Sequence, residues 1–365
     1  MLEVADIFRL HGPDYRAQFG NQMLPSHRRA MQDIEQCRTA ALGGQLYFCG
    51  QCQEQRYSYH SCKNRHCPKC QNEQANQWLQ QQQNLLLPVH HFMVTFTLPA
   101  ELRAVVRSNQ KLCYNLLFRA SSAALLKLAQ DPRFVGAQIG MVGVLHTWTR
   151  QLLYHPHVHY IVTGGGLTDD GRWRSSRPDF LVPVLALSPI FRAKFRDQLK
   201  KTGLFAQVDQ QAWKKKWVVH SQPVGSGAAA FKYLAPYVFR VALSNNRILK
   251  LADGNVTFKY KESATAQVRF STLSAEEFMR RFLQHVLPPR FVKVRYYGLL
   301  SPGNRKLLAQ ARALLKIADS RLPNADCNDE IGNRKLAIEN LPCCPNCGTV
   351  LTLLRELKPR SGLPP

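Results

Sequence analysis

The sequence is poor in acidic residues and has no long apolar run. Asp and Glu number 24 against 49 Lys and Arg, which gives a formal net charge of +25. A surplus this large favours a polyanionic partner, and nucleic acid is the commonest one. No apolar run approaches the roughly 18 residues of a membrane-spanning helix, so no membrane partner is expected. The N-terminus also lacks the basic start and apolar core of a secretory signal, which predicts a cytoplasmic protein.

The chain of 365 residues is long enough for two or more domains. Changes in composition predict a zinc-binding N-terminal domain over residues 1–88, a catalytic domain over 89–300 and a basic C-terminal tail with a Cys knuckle over 301–365. Eleven cysteines in a chain without an export signal favour metal binding over disulfides.

The fold class follows from the hydrophobic pattern. β-branched and aromatic runs predict strands over 91–98, 140–147, 157–163, 247–251, 256–260 and 291–297. Helical spacing predicts helices over 71–84, 101–130, 228–240 and 274–285. Asp253-Gly254 is typical of a hairpin turn, and Ser274 followed by Glu277 of a helix N-cap. Because strands and helices mix without strict alternation, the prediction is α+β with an antiparallel sheet.

Two cysteine pairs in the N-terminal domain have the spacing of zinc knuckles. The pairs are Cys49-x2-Cys52 and Cys67-x2-Cys70. Four thiolates suit tetrahedral zinc, so the sequence predicts one structural zinc ion held by these four residues. Such an ion contributes folding energy to a region too short for a core of its own.

A second set of possible zinc ligands surrounds these pairs: His27, Cys37, Cys62 and His66. Cys62-x3-His66 places both side chains on one helical face or around one turn. Cys37 taken alone is more typical of a buried small hydrophobe. A two-zinc domain is therefore the weaker alternative to a single site.

The C-terminal tail contains one more knuckle of the same kind, Cys344-x2-Cys347. Cys327 or Cys343 could contribute a third thiolate. A fourth ligand is not evident from the sequence, so zinc binding there is an open alternative.

Three histidines form a candidate catalytic metal site. Residues two apart on a strand point to the same face, so His157 and His159 present two imidazoles side by side. Such a pair is half of a divalent metal site. His146 lies on the preceding predicted strand and supplies a third ligand if the two strands form a hairpin. The alternative is a histidine bonded to the backbone at the strand end.

Tyr233 and Tyr237 lie four residues apart in a predicted helix and share one face. Taken alone, the pair is more typical of an amphipathic helix that buries two aromatic rings. Beside the histidines the pair suggests a catalytic role. A phenol with a pKa of about 10 is a poor nucleophile at neutral pH, so its attack on a phosphate needs assistance. A metal ion can polarise a phosphoryl oxygen and stabilise the charge of the transition state. The product would be a phosphotyrosine ester, which stores the bond energy for rejoining.

Three segments, in this order, resemble the IS91 family of rolling-circle transposases, relatives of Helitrons. Residues 37–71, which contain SCKNRHCPKCQ, are similar to its zinc-binding region. Residues 155–166, HPHVHYIVTGGG, are similar to the HUH motif, two histidines around a hydrophobic residue. Residues 232–245, KYLAPYVFRVALSN, are similar to its paired-tyrosine motif. The resemblance covers nearly the whole chain.

The resemblance implies a bacterial, nucleoid-associated transposase that nicks and rejoins single-stranded DNA at element ends through a 5′-phosphotyrosine intermediate. It implies Tyr233 and Tyr237 as nucleophiles, and His157 and His159 as ligands of Mg²⁺ or Mn²⁺, with Zn²⁺ as a structural ion. The catalytic domain is then of the HUH type, with the histidines on an antiparallel sheet and the tyrosines on a facing helix. His146 gains support because its spacing resembles the three-histidine set of conjugative relaxases.

Two other functions fit the same residues. A plasmid replication initiator or relaxase would use the same chemistry, and a non-catalytic zinc-dependent nucleic-acid-binding protein would use both motifs structurally.

Basic residues predict where DNA lies. Lys214, Lys215 and Lys216 lie between Trp213 and Trp217, a combination of cations and aromatic rings typical of single-strand binding, although a solvated basic loop with one core tryptophan is at least as good an interpretation. Lys232 and Arg240 flank the tyrosines and are predicted to hold phosphates next to the scissile one.

Overall fold

The computed structural model describes residues 2–70, 87–226, 242–262, 265–315 and 342–359. Helices and antiparallel sheets are mixed in these ranges, which confirms the predicted α+β class. The helices predicted over 71–84 and 228–240 lie outside the described residues.

The helices show where local sequence sets the boundaries. In chain order they are α1 (Val4–Phe19), α2 (Pro25–Gln36), α3 (Arg103–Ser108), α4 (Gln110–Ala129), α5 (Val184–Lys200), α6 (Gln211–Lys214), α7 (Ala275–Leu283) and α8 (Arg305–Leu314). The single helix predicted over 101–130 is divided because Asn109 leaves the helical region, with φ −127° and ψ 45°. The Ser274 side chain accepts a hydrogen bond from the Glu277 backbone N–H and caps α7, as predicted.

The strands form three antiparallel sheets. They are β1 (Gly44–Cys49), β2 (Glu54–Tyr59), β3 (His90–Thr97), β4 (Gln138–Trp148), β5 (Tyr154–Leu167), β6 (Trp173–Ser175), β7 (Val219–Ser226), β8 (Ile248–Ala252), β9 (Asn255–Lys261), β10 (Val268–Ser274), β11 (Val294–Gly298) and β12 (Thr352–Leu357). The central sheet has the order β11-β4-β5-β3-β7, with β6 added to β5. The smaller sheets have the orders β12-β1-β2 and β10-β9-β8.

The two faces of the central sheet have different cover. Val158 and Tyr160 of β5 point to one face and join the main core, where Phe191 of α5 also packs. Ile161 points to the opposite face and packs in a smaller core with Leu308 of α8. Because side chains alternate along a strand, His157 and His159 lie on this second face.

A tight turn joins β8 to β9. Asp253 and Gly254 have φ of 51° and 70°, two positive values in succession. This backbone is typical of the two-residue hairpin turn that an Asp-Gly pair predicts.

The N-terminal region is packed onto the rest of the chain. The Arg65 guanidinium donates to the carbonyls of Phe291 at 2.6 Å and Pro288 at 2.8 Å. The ring of Phe8 in α1 contacts that of Phe282 in α7, with centroids 5.4 Å apart. β12 pairs with β1, so the C-terminal segment completes the N-terminal sheet.

Candidate active site and zinc centres

Three histidines meet on the less covered face of the central sheet. His146 on β4 is directly opposite His157 on β5 in the strand register, and His159 follows two residues later on β5. One ring nitrogen from each of the three residues lies within 4.8 Å of the others. The hairpin that was required for His146 to join the pair is therefore present. Three imidazoles at this separation can coordinate one divalent ion.

Hydrogen bonds set the orientation of two of the rings. His157 Nδ1 is 2.6 Å from the His155 carbonyl and donates to it, which makes Nε2 the ring atom that could coordinate an ion. His159 Nδ1 is 2.8 Å from Thr95 Oγ1, and Thr95 lies opposite His159 on β3. The His155 ring bonds to Arg103 and is directed elsewhere. Partners of this kind hold a metal ligand in one orientation and one tautomer.

Burial favours the neutral form of His157. Desolvation lowers the pKa of His157 to about 4, although its hydrogen bond to the His155 carbonyl opposes this shift. A neutral imidazole has the lone pair that coordination needs. The Trp148 ring stacks on His146, with centroids 4.9 Å apart, and closes one side of the cluster.

Four cysteines form a first thiol cluster at the end of the N-terminal region. The cluster contains Cys37, Cys62, Cys67 and Cys70. The Cys70 sulfur lies 3.5 Å from that of Cys37 and 3.6 Å from that of Cys62. Four sulfurs at about 2.3 Å from one zinc ion would be about 3.8 Å apart, so the cluster has suitable dimensions for tetrahedral zinc.

A second thiol cluster joins the two ends of the chain. It contains Cys49, Cys52, Cys344 and Cys347. The sulfurs of Cys49 and Cys347 are 3.5 Å apart, and those of Cys344 and Cys52 are 3.9 Å apart. Hydrogen bonding with Thr349 lowers the pKa of Cys347 to about 6, which favours the thiolate that zinc binds.

The grouping predicted from spacing is corrected by these two clusters. Cys49 and Cys52 do not share a site with Cys67 and Cys70, because the β1–β2 hairpin carries its own knuckle towards the C-terminal knuckle. β12 pairs with β1 and brings Cys344 and Cys347 to that knuckle. The structure thus groups the C-terminal knuckle with the first cysteine pair of the N-terminal region.

The second predicted ligand set is divided. Cys37 and Cys62 belong to the first cluster, whereas His27 and His66 belong to none of the three described groups. His66 Nε2 accepts a hydrogen bond from the Leu287 backbone N–H at 3.2 Å. Cys343 is exposed and outside the second cluster, and Cys327 lies outside the described residues.

Comparisons with known proteins identify the family. One family model, described as "Putative transposase", matches residues 140–307, and a second, described as "Transposase zinc-binding domain", matches residues 7–98. "Putative transposase y4qJ" of Sinorhizobium fredii is 40% identical over 379 residues, covering 96% of this chain and 94% of that protein. The chain belongs to the IS91 family of transposases. The predicted family is confirmed.

A second relative of this transposase carries the name of its mobile element. The transposase for insertion sequence element IS801 of Pseudomonas savastanoi pv. phaseolicola is 29% identical over 284 residues, covering 73% of this chain and 68% of that protein. No solved structure matches the transposase. No helix among the described residues is both long and apolar enough to cross a bilayer.

Of the residues predicted to contact DNA, the structure describes the segment from Trp213 to Trp217. Trp217 is 2% exposed and lies in the main core, and the half-buried Trp213 stacks on it with ring centroids 5.7 Å apart, which fits the alternative of a basic loop with one core tryptophan. Lys214, Lys215 and Lys216 are exposed, and Lys215 pairs with Glu101. DNA contact by these lysines stays a prediction. The other predicted residues, Tyr233, Tyr237, Lys232 and Arg240, lie outside the described residues.

Thr95 is the residue of the histidine site that sequence reasoning missed. The β-branched and aromatic run over residues 91–98 predicts a buried strand, although Thr95 and Thr97 place hydroxyls at alternate positions in it. Threonines two apart in such a strand indicate a polar patch on one face. The sequence does not reveal that β3 and β5 are neighbours, which is what brings Thr95 to His159.

Proposed function

We propose that this transposase nicks and rejoins single-stranded DNA at the ends of its element through a 5′-phosphotyrosine intermediate, in rolling-circle-like transposition. The observation that carries the proposal is the cluster of His146, His157 and His159, with one ring nitrogen of each within 4.8 Å of the others. DNA in the bacterial cytoplasm is the corresponding substrate, and the charge of +25 is suited to it.

The histidine cluster fits a divalent cation. His157 directs Nδ1 to a carbonyl and His159 directs Nδ1 to a hydroxyl, so Nε2 of each ring faces the proposed site. We propose Mg²⁺ or Mn²⁺ as the ion. When bound, the ion supplies Lewis-acid polarisation of a phosphoryl oxygen and stabilises negative charge in the transition state.

The proposed nucleophiles are Tyr233 and Tyr237. The phenolic oxygen of one tyrosine attacks the scissile phosphorus, and the bond from phosphorus to the 3′ oxygen breaks. The phenol proton ends on that 3′ oxygen. The 5′ end is then linked to the tyrosine, and the freed 3′-OH primes synthesis. The second tyrosine carries out the same exchange in strand transfer, so the two tyrosines would serve two successive exchanges.

Other functions have less support. Both relatives are named transposases, and one belongs to an insertion sequence, which favours this function over a plasmid initiator or relaxase. The DNA that flanks the gene would separate these, because a transposase lies within the ends of its element. A protein that only binds nucleic acid has no need for three clustered imidazoles.

The experiment is covalent trapping. Labelled single-stranded DNA from the element end is incubated with the protein and Mg²⁺ or Mn²⁺, and the adduct is resolved by denaturing electrophoresis. We expect no adduct from the double variant His157→Ala with His159→Ala, because the ligand pair is lost, although the DNA should still bind. The double variant Tyr233→Phe with Tyr237→Phe should also form no adduct, since only the two hydroxyls are removed.

Matched controls are available on the exposed surface of the N-terminal region. His60→Ala and Tyr57→Phe change the same residue types away from the cluster and should form adduct normally. Peptide mapping of the wild-type adduct should find Tyr233 or Tyr237. An adduct at another residue, or undiminished nicking by either double variant, would contradict the proposal.

A further inference from the structure

The sheet of β8, β9 and β10 has one buried face and one exposed face. Phe258 of β9 is fully buried and contacts Phe278 of α7, with ring centroids 6.2 Å apart. Thr257, Lys259 and Lys261 alternate with it along the strand and point to the opposite side. This opposite side has no cover from another described element.

Two large apolar side chains lie on the exposed side. Phe270 of β10 is directly opposite Lys259 in the register and is 64% exposed. Val268 is directly opposite Lys261 and is 58% exposed. Because cross-strand partners share a face, the two apolar residues and the two lysines form one surface. The arrangement places an open aromatic ring beside cations, which is the combination that single-stranded nucleic acid requires.

The lysines of this surface are available for an anionic ligand. Lys250 of β8 is opposite Thr257, so it belongs to the same face as Lys259 and Lys261. Among the described residues, none of these three lysines has an acidic partner. Glu262, next along the chain, contacts Thr265 and Arg269 instead. Lys259 and Lys261 are about 7 Å apart along the strand, similar to neighbouring phosphates in an extended single strand.

A basic cleft of about 300 Å³ continues the surface at its edge. Arg150 and Arg247 line it together with Lys259, Lys261 and Val268. The Arg150 guanidinium donates to the Lys261 carbonyl at 2.7 Å, and that of Arg247 donates to the Lys259 carbonyl at 2.8 Å. These bonds hold two further positive charges at the same edge.

The cleft is attached to the hairpin that carries the histidines. Arg150 lies in the turn between β4 and β5, two residues after the end of β4 and four residues after His146. The next residue, Gln151, donates from Nε2 to the Tyr260 hydroxyl at 2.7 Å. Tyr260 lies on the Phe258 face of β9, so the hairpin of the candidate active site contacts the small sheet at its edge and from behind, and DNA bound on the exposed face could reach the hairpin around that edge.

We propose that the exposed face of β8–β10, formed by Lys250, Lys259, Lys261, Val268 and Phe270, binds single-stranded DNA. Phe270 stacks on a base, and the lysines contact the phosphates on either side. Every base offers a π-face, so this binding tolerates sequence and serves to hold the strand rather than to recognise an end. The inference rests on the proposed function for the identity of that strand.

Binding can be measured without cleavage, by fluorescence anisotropy of a labelled oligothymidylate in the absence of divalent metal. Phe270→Ala should weaken binding by about 10-fold, the loss of one stacked base. Lys259→Gln with Lys261→Gln should reduce the slope of log affinity against log salt by about 1.4, because two phosphate contacts are lost. Duplex DNA should bind the Phe270→Ala variant as well as it binds the wild type, since its bases are already stacked.

Matched controls lie on α5 and the residue that follows it, on the main-core side of the central sheet and away from the β8–β10 sheet. Leu185→Ala truncates an apolar residue that is 68% exposed, and Lys200→Gln with Lys201→Gln removes two exposed charges. Neither should change the affinity or its salt dependence. If Phe270→Ala lowers the melting temperature, Phe270→Leu keeps the apolar contact and removes only the ring, and it should still weaken binding.

Cross-linking gives an independent test. An oligonucleotide containing 5-iodouracil, irradiated on the protein, should cross-link to the peptide that contains Phe270. Wild-type affinity of both Phe270 variants would overturn the inference. The inference would also be overturned if Phe270→Ala weakened self-association, or binding to phosphatidylserine vesicles, and left DNA binding unchanged. If the protein binds DNA through this face but forms no covalent adduct, the proposed function alone is refuted. If it forms the adduct but all the variants bind DNA like the wild type, this inference alone is refuted.

Discussion

Thr95 lies one strand away from His159 and fixes its ring. The Thr95 hydroxyl is 2.8 Å from His159 Nδ1, and the carbonyl of His155 plays the same part for His157. A ring that is held in this way does not need to be ordered when a metal ion binds. The partners of the ligands therefore contribute to metal affinity although they do not touch the ion.

Replacing Thr95 with valine keeps the shape of the side chain and removes the hydroxyl. We expect the affinity for Mn²⁺ to fall by about 10- to 100-fold, because His159 loses its orienting bond. Isothermal titration measures the affinity, and circular dichroism checks the fold.

Thr97→Val is the matched control for this change. Thr97 is on the same strand and face and lies opposite His157, but none of the hydrogen bonds among the described residues joins its hydroxyl to a ring nitrogen. Equal affinities of the two variants would show that the Thr95 hydroxyl does not support the site.

At the scale of elements, β12 connects the two ends of the chain. It adds a third strand to the β1–β2 hairpin, and the knuckle before it supplies Cys344 and Cys347 to the second thiol cluster. A three-stranded sheet this small buries little apolar surface. We therefore expect the zinc ion to contribute much of the free energy that holds β12 in place.

The double variant Cys344→Ser with Cys347→Ser should contain one zinc ion per chain where the wild type contains two, because only one of the two thiol clusters is intact. Elemental analysis of the purified protein measures this content. Cys343→Ser is the control, since this exposed thiol is adjacent to the cluster in sequence but not part of it. An unchanged zinc content in the double variant would show that Cys49 and Cys52 do not bind zinc together with Cys344 and Cys347.

At the scale of the whole molecule, the zinc-binding region and the β4–β5 hairpin of the central sheet share one apolar cluster. Cys67 and Cys70 pack in the same apolar cluster as Phe278 of α7 and Leu152 of the β4–β5 turn. Loss of zinc is therefore expected to disturb the hairpin that carries the histidines. His285 lies in the same region, with its ring 5.9 Å from that of Trp148.

Acid should destabilise the protein through His285. Burial lowers its pKa from 6.5 to about 4. The unfolded chain then binds a proton first as the pH falls, so this contribution to stability is complete above pH 6.5 and is lost between 6.5 and about 4. The loss is about 3 kcal/mol. Urea unfolding at several pH values measures it.

His285→Gln does not titrate and should flatten this dependence relative to the wild type. The zinc thiolates also protonate in acid, so the informative quantity is the difference between variant and wild type. Parallel curves for wild type and His285→Gln would contradict the assignment.

Local sequence alone determined several features of this transposase. The alternation of side chains along a strand placed His157 and His159 on one face, and Asp253-Gly254 determined the turn between β8 and β9. Ser274 determined the start of α7. Each of these depends on residues only a few positions apart, whose geometry is set by the backbone. The family motifs are local in the same sense.

Tertiary structure decided which of these local units meet. A knuckle supplies two ligands of a tetrahedral site, and its spacing is the same whichever knuckle completes it. Only the pairing of β12 with β1 brings Cys344 to Cys49, and only the register of β4 against β5 brings His146 to His157. Similarly, the run of lysines and tryptophans at 213–217 does not reveal whether Trp217 faces DNA or the core. Burial of the ring against Phe191 decided it, because an apolar ring is more stable away from water.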